Sequence, residues 1–137
     1  MKRLSALCLV LINFLLTACQ PRPVTGETVN VPGGSYKNAS ANELAVMLKN
    51  KDFILVNVHI PFVGDIAGTD LSIPYDEIEQ NLSQLPVDKN AKIVLYCRSG
   101  RMSQIAAEKL VSLGYANVWN LEDGMAGWEQ TGFDIKK

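Results

Sequence analysis

Cysteine is scarce in these 137 residues, with only Cys8, Cys19 and Cys97. Histidine is scarcer, with His59 alone. One chain therefore cannot assemble a Cys/His zinc cluster, and neither metal nor cofactor is expected. Neither sign of charge is in excess: the formal net charge is −1. That removes the electrostatic footprint of general binding to nucleic acid or anionic lipid. Long hydrophobic runs are missing too. The run from Leu4 to Leu16 has 13 residues, whereas a membrane span needs roughly 20. No internal repeat is visible, and the length suits one domain.

What is present begins with an address. Lys2 and Arg3 precede the Leu4–Leu16 run, and small residues follow it, which is the order of a secretory signal. The run ends Leu16-Thr17-Ala18-Cys19. This resembles the lipobox of bacterial lipoproteins, in which the cysteine becomes the lipidated first residue of the mature chain. The resemblance implies removal of residues 1–18 and a lipid on Cys19, tying the protein to a membrane of the cell envelope, on its extracytoplasmic or periplasmic face. The alternative is an uncleaved signal anchor in which Cys19 is incidental. With Cys8 removed and Cys19 acylated, Cys97 is the one remaining thiol. It cannot form an intramolecular disulfide, although disulfides are common in that compartment. It is then either kept for reactivity or is a small buried hydrophobe.

Residues 20–38 hold Pro21, Pro23, Pro32, Gly26, Gly33 and Gly34 without an apolar period. With Cys19 they read as a flexible tether spanning on the order of 24 Å. The domain is expected over residues 39–137. Ser40-Ala41-Asn42-Glu43 is a capping box, and Leu44, Met47 and Leu48 follow at helical spacing. The run from Phe53 to Val58 reads as a buried parallel strand. Leu71 to Ile73 reads as a short strand. Ile78, Leu82 and Leu85 mark one face of a second helix. Ile93-Val94-Leu95-Tyr96 is a strand, and the helix after it is expected to bury Met102, Ile105, Ala106, Leu110 and Leu113. A strand at 117–120 and a short helix capped by Asp123 complete the domain. Trp119 and Trp128 read as packing residues, and Lys136 and Lys137 as a solvated tail. Strands alternating with helices imply a three-layer α/β domain, a parallel central sheet flanked by helices.

The chemistry concentrates at Cys97-Arg98-Ser99-Gly100-Arg101-Met102-Ser103. A strand, a short loop with a cysteine and then a helix aim the thiol at a helix N-terminus. Unpaired backbone N–H groups and the positive end of the helix dipole meet there. Such a place favours anions, and the working nucleophile of cysteine is the thiolate. Arg98 and Arg101 add positive charge. In open parallel sheets ligands bind at the carboxyl ends of the strands, which is where Cys97 stands. Spacing alone leaves open whether Cys97 is reactive or simply buried.

Residues from about Tyr36 to Ile135 resemble a single rhodanese-like domain. The resemblance rests on Ser40-Ala41-Asn42-Glu43-Leu44, Leu55-Val56-Asn57-Val58, Gly64-Asp65-Ile66-Ala67-Gly68-Thr69 and Ile73-Pro74. It continues through Tyr96-Cys97-Arg98-Ser99-Gly100 and Asp123-Gly124-Met125 with Trp128, in the family's order. It implies a sulfurtransferase in which Cys97 carries sulfur as a persulfide. Arg98, Ser99, Gly100, Arg101, Met102 and Ser103 would be the loop that cradles a small sulfur-containing anion such as thiosulfate. A thiol acceptor would then collect the sulfur, and the protein would work as a monomer. The chain departs from the family pattern in places. Asn57-Val58-His59 stands where relatives often carry Asp-x-Arg, and Met102 replaces an arginine common five residues after the cysteine.

Two competing functions follow from the same residues. Phosphatases and arsenate reductases on this kind of fold place an arginine six residues after the cysteine. Here that position is Ser103, which counts against them. A non-catalytic module that docks a partner or senses sulfur species would keep the fold without turnover.

Overall fold

The computed structural model describes residues 22–137. The expected signal peptide and Cys19 lie outside the described residues. Eight strands and three α-helices follow one another as β1 Glu27–Val31, β2 Gly34–Ala39, α1 Ala41–Lys49, β3 Ile54–Asn57, β4 Asp65–Ile66, β5 Leu71–Ser72, β6 Ile93–Tyr96, α2 Arg101–Ser112, β7 Val118–Leu121, α3 Gly124–Gln130 and β8 Ile135–Lys136. Six strands form the main sheet in the order β1-β2-β7-β6-β3-β5. All its pairings are parallel except the β1–β2 hairpin. The expected α/β architecture is present.

Period-two alternation sorts the sheet into two cores. On β6, Ile93 and Leu95 face one cluster while Val94 and Tyr96 face the other, and all four are fully buried. The first cluster is covered by α2 through Ala106, Ala107, Leu110 and Val111. The second is covered by α1 through Leu44 and by α3 through Met125 and Trp128. A strand buried on both faces has no polar positions, which is why β6 reads as a continuous apolar run. Cys97 extends the alternation and belongs to the α2 side.

The tether ends earlier than expected. Residues 27–31 and 34–39 form a hairpin, and β2 pairs in parallel with β7 through Lys37, Asn38 and Ala39. Proline and glycine punctuation made this stretch look unstructured. In the fold Pro32 and Gly33 are the hairpin's turn, and Tyr36 and Ala39 are buried. The expected second helix is instead two 3-10 segments, Tyr75–Glu77 and Glu79–Gln84. Ile78 and Leu85 still anchor them in the core. Lys136 and Lys137 are exposed as expected, although the backbone of β8 pairs antiparallel with β4. The inward stripe of α2 is Ser103, Ala106, Ala107, Leu110 and Val111. Ile105 is 45% exposed, and Met102 and Leu113 pack only partly against the core. Helical periodicity was correct, but the phase is set by Ser103, a polar residue that turns inward beneath the cysteine.

Two polar knots tie the loops to the carboxyl end of the sheet. The Tyr96 hydroxyl accepts from the Ile66 N–H at 3.0 Å, meets Thr69 Oγ1 at 2.7 Å and donates to Asp65 at 3.0 Å. Burial pushes the Tyr96 pKa well above the ordinary tyrosine value. The hydrogen bonds from Thr69 and Ile66 oppose that shift, and the Asp65 carboxylate adds to it. The second knot is Asn57, whose amide donates to the Gly64 carbonyl and to Asp65, both at 2.9 Å. Its oxygen accepts the His59 N–H at 3.0 Å.

Candidate active site

The Cys97 loop leaves β6, passes over the sheet end and enters α2. The Gly100 N–H donates to Cys97 Sγ at 3.1 Å, and Ser103 Oγ lies 3.5 Å from the same sulfur. Cys97 is 1% exposed, so the sulfur's surroundings are set almost wholly by protein. The Ser103 hydroxyl has one proton and two neighbours, because it also lies 3.1 Å from the Gly100 carbonyl. Beside a neutral thiol it can donate to the carbonyl and accept the S–H. Beside a thiolate it can turn its proton to the sulfur. The serine thus follows the charge on Cys97 without moving the backbone.

The loop's shape is enforced at two glycines. Gly100 has φ +93°, and a Cβ there would collide with the Glu122 carbonyl. Gly124 has φ +56°, and a Cβ there would strike the Cys97 and Arg98 carbonyls. Those carbonyls accept the Met125 and Ala126 N–H groups, each at 2.9 Å. Asp123 stands at the cap position of α3 but makes no side-chain capping bond. The first turn of α3 is satisfied instead by the backbone of the cysteine loop. Sequence reading named Asp123 as the cap and missed this docking. Its only trace in the sequence is Gly124.

The remaining loop residues are placed as follows. Arg98, Ser99 and Arg101 are exposed, Met102 is half-buried, and Gly100 and Ser103 are buried. Neither arginine touches Sγ by hydrogen bond, and among the described residues neither forms an ion pair. Cys97, Gly100 and Ser103 are therefore brought together, while Arg98 and Arg101 form the outer rim.

The departures at Asn57 and His59 are tied together, and to Asp65, through the Asn57 side chain. At position 57 an amide can donate to Gly64 and Asp65 and accept from His59 at once. A carboxylate there could not donate and would face the Asp65 carboxylate, so Asn57 and Asp65 suit each other. His59 lies two residues beyond Asn57, whose pairing with Tyr96 ends the β3–β6 ladder. Its Nδ1 is buried without a hydrogen-bond partner. Burial first, and the Arg98 charge second, hold its pKa below the usual 6.5. Among the described residues no cluster of His, Cys, Asp and Glu is arranged to hold a metal ion.

Residues 40–131 match the rhodanese-like domain family, and the chain belongs to that family. A sulfurtransferase of Allochromatium vinosum is 32% identical over 87 residues, covering 62% of this chain and 79% of that protein. An uncharacterized protein of Synechocystis is 37% identical over 86 residues, covering 61% of this chain and 47% of that one. A tRNA uridine(34) hydroxylase of Hamiltonella defensa is 29% identical over 115 residues, covering 79% of this chain but only 32% of its own length. The alignments thus take in anything from a third to most of the relatives' lengths. Among solved structures, a rhodanese-related protein from Thermoplasma volcanium superposes with a TM-score of 0.62 at 28% identity. It covers 73% of this chain and 97% of that one. A rhodanese-like domain protein from Staphylococcus aureus gives 0.61 at 30% identity, with 74% and 99% covered. The fold and the family with its sulfurtransferase relatives follow from these likenesses.

The environment of His59 makes a prediction about pH. The unfolded chain accepts a proton on His59 near pH 6.5, and the folded chain resists it. Stability is at its full value above about pH 6.5 and falls as the pH drops towards the folded-state pKa. His59 is the only histidine, so its imidazole resonances are unambiguous in NMR. Titration should give a midpoint below 6.5, and His59→Gln should flatten the loss of stability over that pH range. A midpoint at or above 6.5 would show that Arg98 and burial do not act on the ring.

Proposed function

We propose that this protein moves sulfane sulfur from thiosulfate or a similar anion to a thiol through a persulfide on Cys97. The observation that carries this reading is the pair of donors, the Gly100 N–H and the Ser103 hydroxyl, turned towards a buried sulfur. A buried cysteine serving only as a hydrophobe needs no donors aimed at it. An anionic sulfur does, because burying an unpaired charge is costly.

The steps balance without a cofactor. The Cys97 thiolate attacks the outer sulfur of thiosulfate, the S–S bond breaks, and sulfite leaves with its electron pair. The persulfide stays under the loop. An acceptor thiolate then attacks the outer sulfur, and Cys97 departs as a thiolate. This is covalent catalysis in two half-reactions. Arg98 and Arg101 supply positive charge at the rim, where the sulfonate end of the donor would sit. Ser103 occupies the position at which an oxyanion-binding arginine would close a phosphatase ring, which supports sulfur over phosphate as substrate.

The reading includes a location. The Leu16-Thr17-Ala18-Cys19 run supports cleavage before Cys19 and its acylation, leaving a lipid-anchored domain outside the cytoplasm. Several acyl chains hold a protein on a membrane stably, and one holds it marginally.

Thiosulfate treatment should add one sulfur atom to the Cys97 peptide by mass spectrometry, cyanide should remove it, and Cys97→Ala should never acquire it. Aryl phosphates should not be hydrolysed. An unmodified Cys97 together with steady phosphate release would reject the sulfurtransferase. An unmodified Cys97 without either activity would favour a binding or sulfur-sensing module. Separately, Cys19→Ser should lose fatty-acid labelling and processing at that site, and normal labelling in that variant would contradict the anchor.

A further inference from the structure

The chain enters the fold at the end of the sheet that carries Cys97. The pairing register runs in one row across four strands, from Leu95 to Asn120 to Asn38 to Glu27. Because β1 is antiparallel to β2, Gly26 lies one step beyond that row towards the carboxyl end. Cys97 lies two steps beyond it, at the end of β6. Three strand spacings separate the two positions across the sheet, about 14 Å. Gly26 is held in place: its N–H donates at 3.4 Å to Glu43, in the first turn of α1, and a Cβ on it would strike the Trp119 ring. The Lys37 ammonium donates to the Thr25 carbonyl at 3.2 Å, and Val24 packs against the core beneath α1 and α3. Cys19 stands only five residues before Val24, and five residues of chain reach at most about 18 Å.

We infer that the carboxyl end of the sheet faces the lipid bilayer, and that Cys97 exchanges sulfur with a partner carried by that membrane. The inference rests on the lipid anchor and the sulfurtransferase reading proposed above. An acyl group on Cys19 ties the domain down at the rim of its active end. The lead of about 18 Å is shorter than the breadth of a domain of this size, whose radius of gyration is about 13 Å. The same end presents Phe62, 60% exposed, and Val63, 37% exposed, in the loop that follows β3. Exposed apolar side chains have a place at the boundary between headgroups and acyl chains. Arg98 and Arg101 are offset there by the exposed Glu122 and Asp123, so the acyl anchor holds the domain and charge does not. In the transfer step a thiolate presented at the membrane surface attacks the outer sulfur of the Cys97 persulfide. The bond between that sulfur and Sγ breaks, and Cys97 leaves with the electron pair. The sulfur moves between two thiols, so no external oxidant or reductant takes part.

The test uses the full lipidated chain in phosphatidylcholine vesicles, with flotation to establish that it is bound. In a Cys97→Ala background a fluorophore is attached at Phe62→Cys, on the carboxyl end, or at Val87→Cys. Val87 is 95% exposed in the segment that leads into β6 at the opposite end. A quencher carried on lipid headgroups should dim the Phe62→Cys label more than the Val87→Cys label. The protein with Cys97 intact is then loaded with thiosulfate and freed of excess donor. A lipid with a thiol headgroup in the same vesicles should unload it at least about tenfold faster than the same amount of that lipid in separate vesicles. Equal quenching at the two sites, or stronger quenching at Val87→Cys, in protein that floats would overturn the orientation while leaving the anchor and the sulfurtransferase standing. Equal unloading from both kinds of vesicle would overturn the membrane-borne partner. Protein that does not float would reject the anchor, and the orientation with it. A Cys97 that never loads would reject the sulfurtransferase instead.

Discussion

The closeness of two backbones governs this site. The cysteine loop and the segment from Glu122 to Ala126 approach so nearly that neither Gly100 nor Gly124 has room for a Cβ. Backbone hydrogen bonds from Met125 and Ala126 to Cys97 and Arg98 close the contact. Because the loop is held from behind, its own Gly100 N–H is free to turn inward to the sulfur. The direction of that N–H decides what Cys97 can do. A looser loop would leave the same residues in the same order with no defined ring of donors.

The rest of the domain serves this geometry. The parallel sheet, buried on both faces, fixes the end of β6 and therefore the start of the loop. α2 fixes its finish, with Ser103 turned inward as part of the buried stripe. On the other flank, Asn57 and Tyr96 fasten the 60–70 segment through Asp65, Gly64 and Ile66. Immediately before that segment stands His59, whose backbone N–H is tied to the Asn57 side chain. Charge is distributed by depth: donors without formal charge face the sulfur, and the arginines stay outside. In the proposed reaction, an anion would pass a positive rim and meet neutral N–H and O–H groups at the sulfur.

Much of this was legible in the sequence because local signals carried it. The capping box at Ser40 and Glu43 forms as written, with both reciprocal bonds present. The apolar runs at 54–57 and 93–96 are the central strands, and Cys97 stands at a strand end before a helix. What stayed hidden depends on contacts remote in the chain. The stretch read as a tether folds as β1 and β2 because β7 offers an edge, which glycine and proline content cannot reveal. The segment at 75–84 has helical apolar spacing but closes as 3-10 turns, since Asn81 departs from helical angles. The last residues pair with β4, more than sixty positions earlier. At the site, Cys97 and the loop were found by pattern. The compatibility of Asn57 with Asp65 and the capping of α3 by the loop carbonyls needed coordinates.

The central claim is that the loop's own donors hold the transferred sulfur. It is tested most directly by a high-resolution crystal structure of the protein after treatment with thiosulfate. The account predicts one additional sulfur bonded to Cys97 Sγ, lying within the loop and receiving hydrogen bonds from backbone N–H groups of residues 99–103. A persulfide turned away from those groups, or a Cys97 left unmodified while sulfur is found on another residue, would contradict it.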